Sequence, residues 1–102
     1  MSLQLDYKKS KRVCNVTFTL PKEVAGNAKK VHLVSDFNQW SQTATPMKKG
    51  KNGSFSVSID LPVGKQYQFR YLIDDTRWEN DHNADMYVPT VFGNAENSVV
   101  TV

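Results

Sequence analysis

The chain has one cysteine, Cys14, in 102 residues. A single thiol excludes an internal disulfide and any zinc site built from several cysteines. No apolar run is long enough to span a bilayer, and the start lacks the charged and then apolar pattern of a signal peptide. No membrane partner and a cytoplasmic location are therefore expected. Helical periodicity is absent throughout. The two histidines, His32 and His82, have no partner at metal-ligand spacing, and there is no Gly-rich phosphate loop. No metal or cofactor is expected.

What is present is the make-up of one soluble domain spanning residues 1–102, with 39% apolar and 23% charged residues. Such a length closes one core without metal or disulfide staples. The net charge of +3 raises nucleic acid as a partner. The lysines gather at Lys8-Lys9-Ser10-Lys11-Arg12, Lys29-Lys30 and Lys48-Lys49-Gly50-Lys51, at strand boundaries and turns where lysine blunts exposed sheet edges. With no aromatic RNA-binding pattern and no helix to enter a groove, no nucleic-acid partner is expected.

Period-two alternation marks the strands. Residues 1–11 are expected as a flexible N-terminal segment. Cys14, Val16, Phe18 and Leu20 then face one way and Asn15, Thr17 and Thr19 the other, until Pro21 stops the run. Residues 30–34 form a second strand and residues 45–49 a short edge strand. Asn52-Gly53 makes a hairpin turn, because it tolerates positive φ. From Ser54 to Leu61, Phe55, Val57, Ile59 and Leu61 point inward. From Gln66 to Ile73, Tyr67, Phe69, Tyr71 and Ile73 share one face, while Gln66, Gln68, Arg70 and Leu72 share the wet one. Residues 79–86 form a long polar loop, and 98–102 the closing strand. About seven antiparallel strands with no helix predict an all-β, immunoglobulin-like sandwich. Phe18, Leu20, Leu33, Phe55, Val57, Ile59, Tyr67, Phe69 and Val99 are expected to be mostly buried, with Cys14 an inert small hydrophobe beside them.

Ser35-Asp36-Phe37-Asn38-Gln39-Trp40 follows the second strand and precedes polar residues. Phe37 can point back to the core while Asp36 and Asn38 shape the turn through local hydrogen bonds. Trp40 then either presents a flat face suited to a glucose ring or caps the end of the core. Catalysis is not expected. Asp74, Asp75, Glu79, Asp81, Asp85 and Glu96 read as solvated turn residues rather than a carboxylate pair fixed about a scissile bond.

With Trp40, Arg70, Trp78 and Asn97 located, the chain resembles the glycogen- and starch-binding module at the front of isoamylases and glycogen-branching enzymes, found also in the β subunit of AMP-activated protein kinase. The resemblance runs from about residue 12 to the last residue. It is carried by residues 31–40, Met47-Lys48-Lys49, Gly53-Ser54-Phe55, Ile59-Asp60-Leu61-Pro62-Val63-Gly64, residues 67–74, Trp78, Asn80-Asp81, Val88-Pro89, Phe92-Gly93 and residues 96–100. It implies an immunoglobulin-like fold of the early-set type. It also implies that Trp40 and Trp78 stack on glucose rings, that Arg70 and Asn97 bond sugar hydroxyls, and that Phe92 packs against the sugar. Arg70 stands where the family often has Lys. Before the second Trp the family usually has Asp-Gly, whereas this chain has Asp74-Asp75-Thr76-Arg77, one residue longer.

Two functions are compatible with that resemblance. One is a non-catalytic module that binds α-1,4-linked glucans such as glycogen, starch or maltooligosaccharides. The other is an accessory domain that packs on an amylase-type or branching enzyme, a glycan-metabolising partner, without touching glucan.

Overall fold

The computed structural model describes residues 3–7, 12–90 and 95–102. Among these residues there are nine strands in two antiparallel sheets: β1 (Leu3–Tyr7), β2 (Val13–Leu20), β3 (Val31–Ser35), β4 (Lys48–Lys49), β5 (Phe55–Pro62), β6 (Gln66–Ile73), β7 (Arg77–Glu79), β8 (Met86–Pro89) and β9 (Glu96–Thr101). The first sheet runs β1-β2-β5-β4 and the second β3-β6-β9-β8. The only helical pieces among the described residues are a single turn, α1 (Lys22–Ala25), and a 3-10 turn at Asp36–Asn38. The all-β sandwich of immunoglobulin-like type is the architecture found.

The core lies between the sheets, where the alternation of β2 is kept without exception. Cys14, Val16, Phe18 and Leu20 are buried, and the residues between them are half-exposed. Phe18 meets Phe69 edge-on at 5.0 Å, and Phe69 meets Tyr71 in the same manner at 5.7 Å. Both arrangements suit the ring quadrupoles. Burial of Cys14 among these side chains agrees with its reading as a small hydrophobe.

Four local readings are corrected. Within the N-terminal segment, residues 3–7 form β1, paired along its whole length with β2, and Leu3 is part of the core. Val57 and Ile59 are only half-buried, although they pack on the core. Their strand has β2 along one edge, but its other edge is covered by β4 at Phe55 and Ser56 alone. The 79–86 region contains the ends of β7 and β8. Finally, Leu72, read as part of the wet face, is buried; it stands outside the core cluster, together with Val34 and with Val99, whose burial was expected. They sit on the outer face of the second sheet, where Leu72 pairs with Trp78, Val34 with Arg70 and Val99 with Gln68. Directly opposed side chains on a sheet cover one another, so this face carries a thin apolar floor.

β6 organises that face. Residues 69–73 pair with β3 along one edge. The other edge is shared in sequence by β9, opposite residues 66–69, and β7, opposite residues 71–73.

Candidate functional site

The outer face of the second sheet holds a cavity of about 600 Å³, within the usual size of a small-ligand site. Trp40, Arg70, Trp78 and Asn97 all line it, with Val34 as part of its floor. The two tryptophans reach it by different local devices.

Trp40 is set by a polar turn. The Ser35 hydroxyl accepts the Phe37 N–H at 3.3 Å, and the Asn38 side-chain oxygen accepts the Ser35 N–H at 3.1 Å, a reciprocal capping box. Asn38 also donates its amide to the Leu33 carbonyl and the Thr45 hydroxyl, each at 3.0 Å. Gln39 and Trp40 follow with φ of 58° and 57°, a left-handed conformation that bulky residues seldom adopt. A 2.8 Å bond from the Trp40 N–H to the Ser35 carbonyl closes the turn. Phe37 points back as the sequence suggests, 6.1 Å from both Phe18 and Tyr67. With Phe37 anchored inward, Trp40 remains 40% exposed, so it does not cap the core.

Trp78 is set by strand register, directly across from Leu72 on β7. The turn before it contains no glycine, yet Asp74 and Asp75 adopt φ of 51° and 62°. Aspartate enters the left-handed region more readily than most residues because its short side chain can bond locally. Here Asp74 accepts the N–H groups of Lys29 and Lys30 at 2.9 and 3.0 Å, and Asp75 pairs with the Lys30 ammonium at 2.6 Å. The backbone bonds from Lys30 and Lys29 hold the Asp74 carboxyl below its ordinary pKa. The longer Asp-Asp-Thr-Arg turn therefore delivers Trp78 to the same cavity as Trp40, 36% exposed.

Arg70 lines the same cavity, its guanidinium 5.2 Å from the centroid of the Trp78 ring, within cation–π range. Burial lowers its pKa, and the Glu79 charge pushes back. Its Nε is buried with no hydrogen-bond partner, although a buried donor normally has one. Asn97 lies just before the closing strand expected at 98–102, but it stands inside β9 and is only 8% exposed. Its amide nitrogen donates to the Gln68 side-chain oxygen at 3.1 Å, and that contact shields it. Phe92 lies outside the described residues.

Gln42, Gln68 and Thr90 also line the cavity, and the sequence does not single them out. For Gln68 the signal was present, since it shares the wet face of β6 with Arg70 two residues on. Gln42 and Thr90 sit in loops where no periodicity applies.

Asp81 is corrected most sharply. It was read as a solvated turn residue, but it is 1% exposed. Its carboxylate accepts the Tyr71 hydroxyl at 2.7 Å and the Asn83 N–H at 2.8 Å, while its own N–H donates to the Ser98 hydroxyl at 2.9 Å. Burial, then the Asp81 charge, holds the Tyr71 phenol well above its ordinary pKa, which keeps it a donor. Asp81 thus ties the segment after β7 to the second sheet. No carboxylate, histidine or cysteine is among the described residues that line the cavity.

An outer-face cavity on an immunoglobulin-like sandwich, with two exposed indoles and a short set of directed polar groups, defines a ligand-binding β-module. Residues 10–88 match the family model of carbohydrate-binding module 48, the isoamylase N-terminal domain. The chain belongs to that family. It is also 40% identical over 55 residues to Protein PTST homolog 2, chloroplastic, from Arabidopsis thaliana. The match covers 54% of this chain and 10% of that protein.

Proposed function

We propose that this chain is a non-catalytic module that binds α-1,4-linked glucans such as glycogen, starch and maltooligosaccharides. The observation that carries the reading is the meeting of Trp40, Trp78, Arg70 and Asn97 in one cavity of the outer face. Each indole offers a flat apolar surface to the C–H face of a glucose ring. The Arg70 guanidinium and the Asn97 amide offer directed donors and an acceptor to the hydroxyl rim.

By analogy with base–aromatic stacking, each platform contributes about 1–3 kcal/mol, so a pair with a few hydrogen bonds gives roughly micromolar to millimolar affinity. Calorimetric titration with maltoheptaose and native-gel retardation by glycogen test this directly. Saturable heat and a mobility shift, both diminished by Trp40→Ala, are expected. Silence in both assays would leave the second reading, a domain that packs on a glycan-metabolising enzyme. That reading draws on Met86, which is large and exposed on strand β8.

A further inference from the structure

We propose that Gln68 is a ligand-binding residue of this cavity and also sets the orientation of Asn97, an inference that rests on the glucan-binding reading above. Gln68 stands where the two halves of the site meet. Its main chain is clamped to the turn that carries Trp40: the Gln68 N–H donates to Asp36 Oδ2 at 3.1 Å, and its carbonyl accepts the Ser35 hydroxyl at 2.7 Å. Its side chain turns the other way, toward β9, where Oε1 accepts the Asn97 amide at 3.1 Å. One residue therefore fixes the Trp40 turn through its backbone and the Asn97 amide through its side chain.

The consequence is a defined order of donors and acceptors. With Oε1 engaged, the Gln68 amide nitrogen makes no hydrogen bond among the described residues, so its two protons are available to the cavity it lines. Donating one proton to Gln68 fixes which way round the Asn97 amide lies. Asn97 then shows the cavity an acceptor oxygen beside the Gln68 donor. A donor and an acceptor side by side match the paired hydroxyls along the rim of a glucose unit, each of which can give one hydrogen bond and take another. Val99 lies directly opposite Gln68 and is buried, which gives the pair an apolar backing.

Three variants of the full chain separate these roles, each titrated with maltoheptaose by calorimetry. Gln68→Met keeps the length and the backbone clamps but removes both side-chain functions. Gln68→Glu keeps an acceptor for Asn97 and removes the donor. Gln66→Glu, on the same strand but outside the cavity lining, serves as the control. Gln68→Met is expected to weaken binding about tenfold and Gln68→Glu about threefold, in line with the loss of two hydrogen bonds and of one. Asn97→Ala should weaken binding less in the Gln68→Met background than in the parent, because a misoriented amide has less to lose. The melting temperature of Gln68→Glu should stay close to the parent's, since the main-chain clamps and the acceptor for Asn97 are both kept.

If the parent binds and both Gln68 variants bind equally well, the inference fails and the glucan reading stands. Strict additivity with Asn97→Ala would overturn the positioning role. A parent silent toward both maltoheptaose and glycogen would overturn both the glucan reading and this inference.

Discussion

The two tryptophans of the cavity reach one surface from opposite kinds of structure. Trp40 sits in a turn held by side chains: Ser35, Asn38 and Thr45 supply the bonds, and two consecutive left-handed residues aim the indole. Trp78 sits on a strand held by main-chain pairing with β6, and the preceding turn supplies the reversal and two left-handed aspartates. The turn depends on a few polar atoms whose loss strands buried partners. The strand spreads the same task over a ladder and over Leu72 and Arg70. The Trp40 side should therefore be the more fragile under single substitutions. The Trp78 side should tolerate change in its turn.

The largest effect expected is on folding. Asn38→Ala removes three hydrogen bonds and leaves the Leu33 carbonyl and the Ser35 N–H without their partner. A loss of about 2–3 kcal/mol is expected, which corresponds to a fall of roughly 10–20 °C in melting temperature. Scanning calorimetry checks it, and an unchanged melting temperature would erase the contrast between the two sides.

Next comes binding. Trp40→Ala removes an exposed platform, so stability should hold while affinity for maltoheptaose falls about ten- to a hundredfold. Arg70→Ala should weaken binding less, about three- to tenfold, because it removes donors rather than contact area. If Arg70→Ala proves the more damaging, hydrogen bonding rather than stacking dominates the site.

A smaller effect should appear on acidification. The Asp74 carboxyl has its pKa lowered from 3.8 by the backbone bonds it accepts, so the folded state binds this proton less readily than the unfolded chain. Its contribution is fully present above that ordinary value and is lost as the pH falls through the lower folded value. Thermal melts across the acid range should show a shallower decline for Asp74→Asn than for the parent. Identical slopes would mean that the clamp on Lys29 and Lys30 does not hold the β6–β7 turn.

The smallest effect is expected from Asp75→Gly. It relieves a positive φ and gives up an exposed ion pair with Lys30, two opposing terms that should cancel to within about 1 kcal/mol. Maltoheptaose affinity should not move. A drop in affinity would show that Trp78 is aimed by its turn rather than by register.

The sequence by itself determined the sandwich. Alternation along Cys14–Leu20 and Gln66–Ile73 gives each strand one face to bury, and with no helical period in the chain to cover that face, another sheet surface must do so. The same period placed Arg70 on the wet face, and the apolar run before Ser35 placed Trp40 beyond a strand end. What the tertiary structure alone decided is how the outer face closes. Leu72 and Val99 read as members of exposed or core faces, but they are buried on the outer sheet surface by neighbours remote in sequence. Asp81 looks like any loop aspartate until Tyr71 and Ser98 arrive from two other strands to bond it. Gln68 and Asn97 lie 29 residues apart and become partners only because β6 and β9 are adjacent. Local pattern records which side of a strand a residue takes. It cannot record which residue stands opposite, because that depends on strand order, and strand order is settled by the packing of the whole chain.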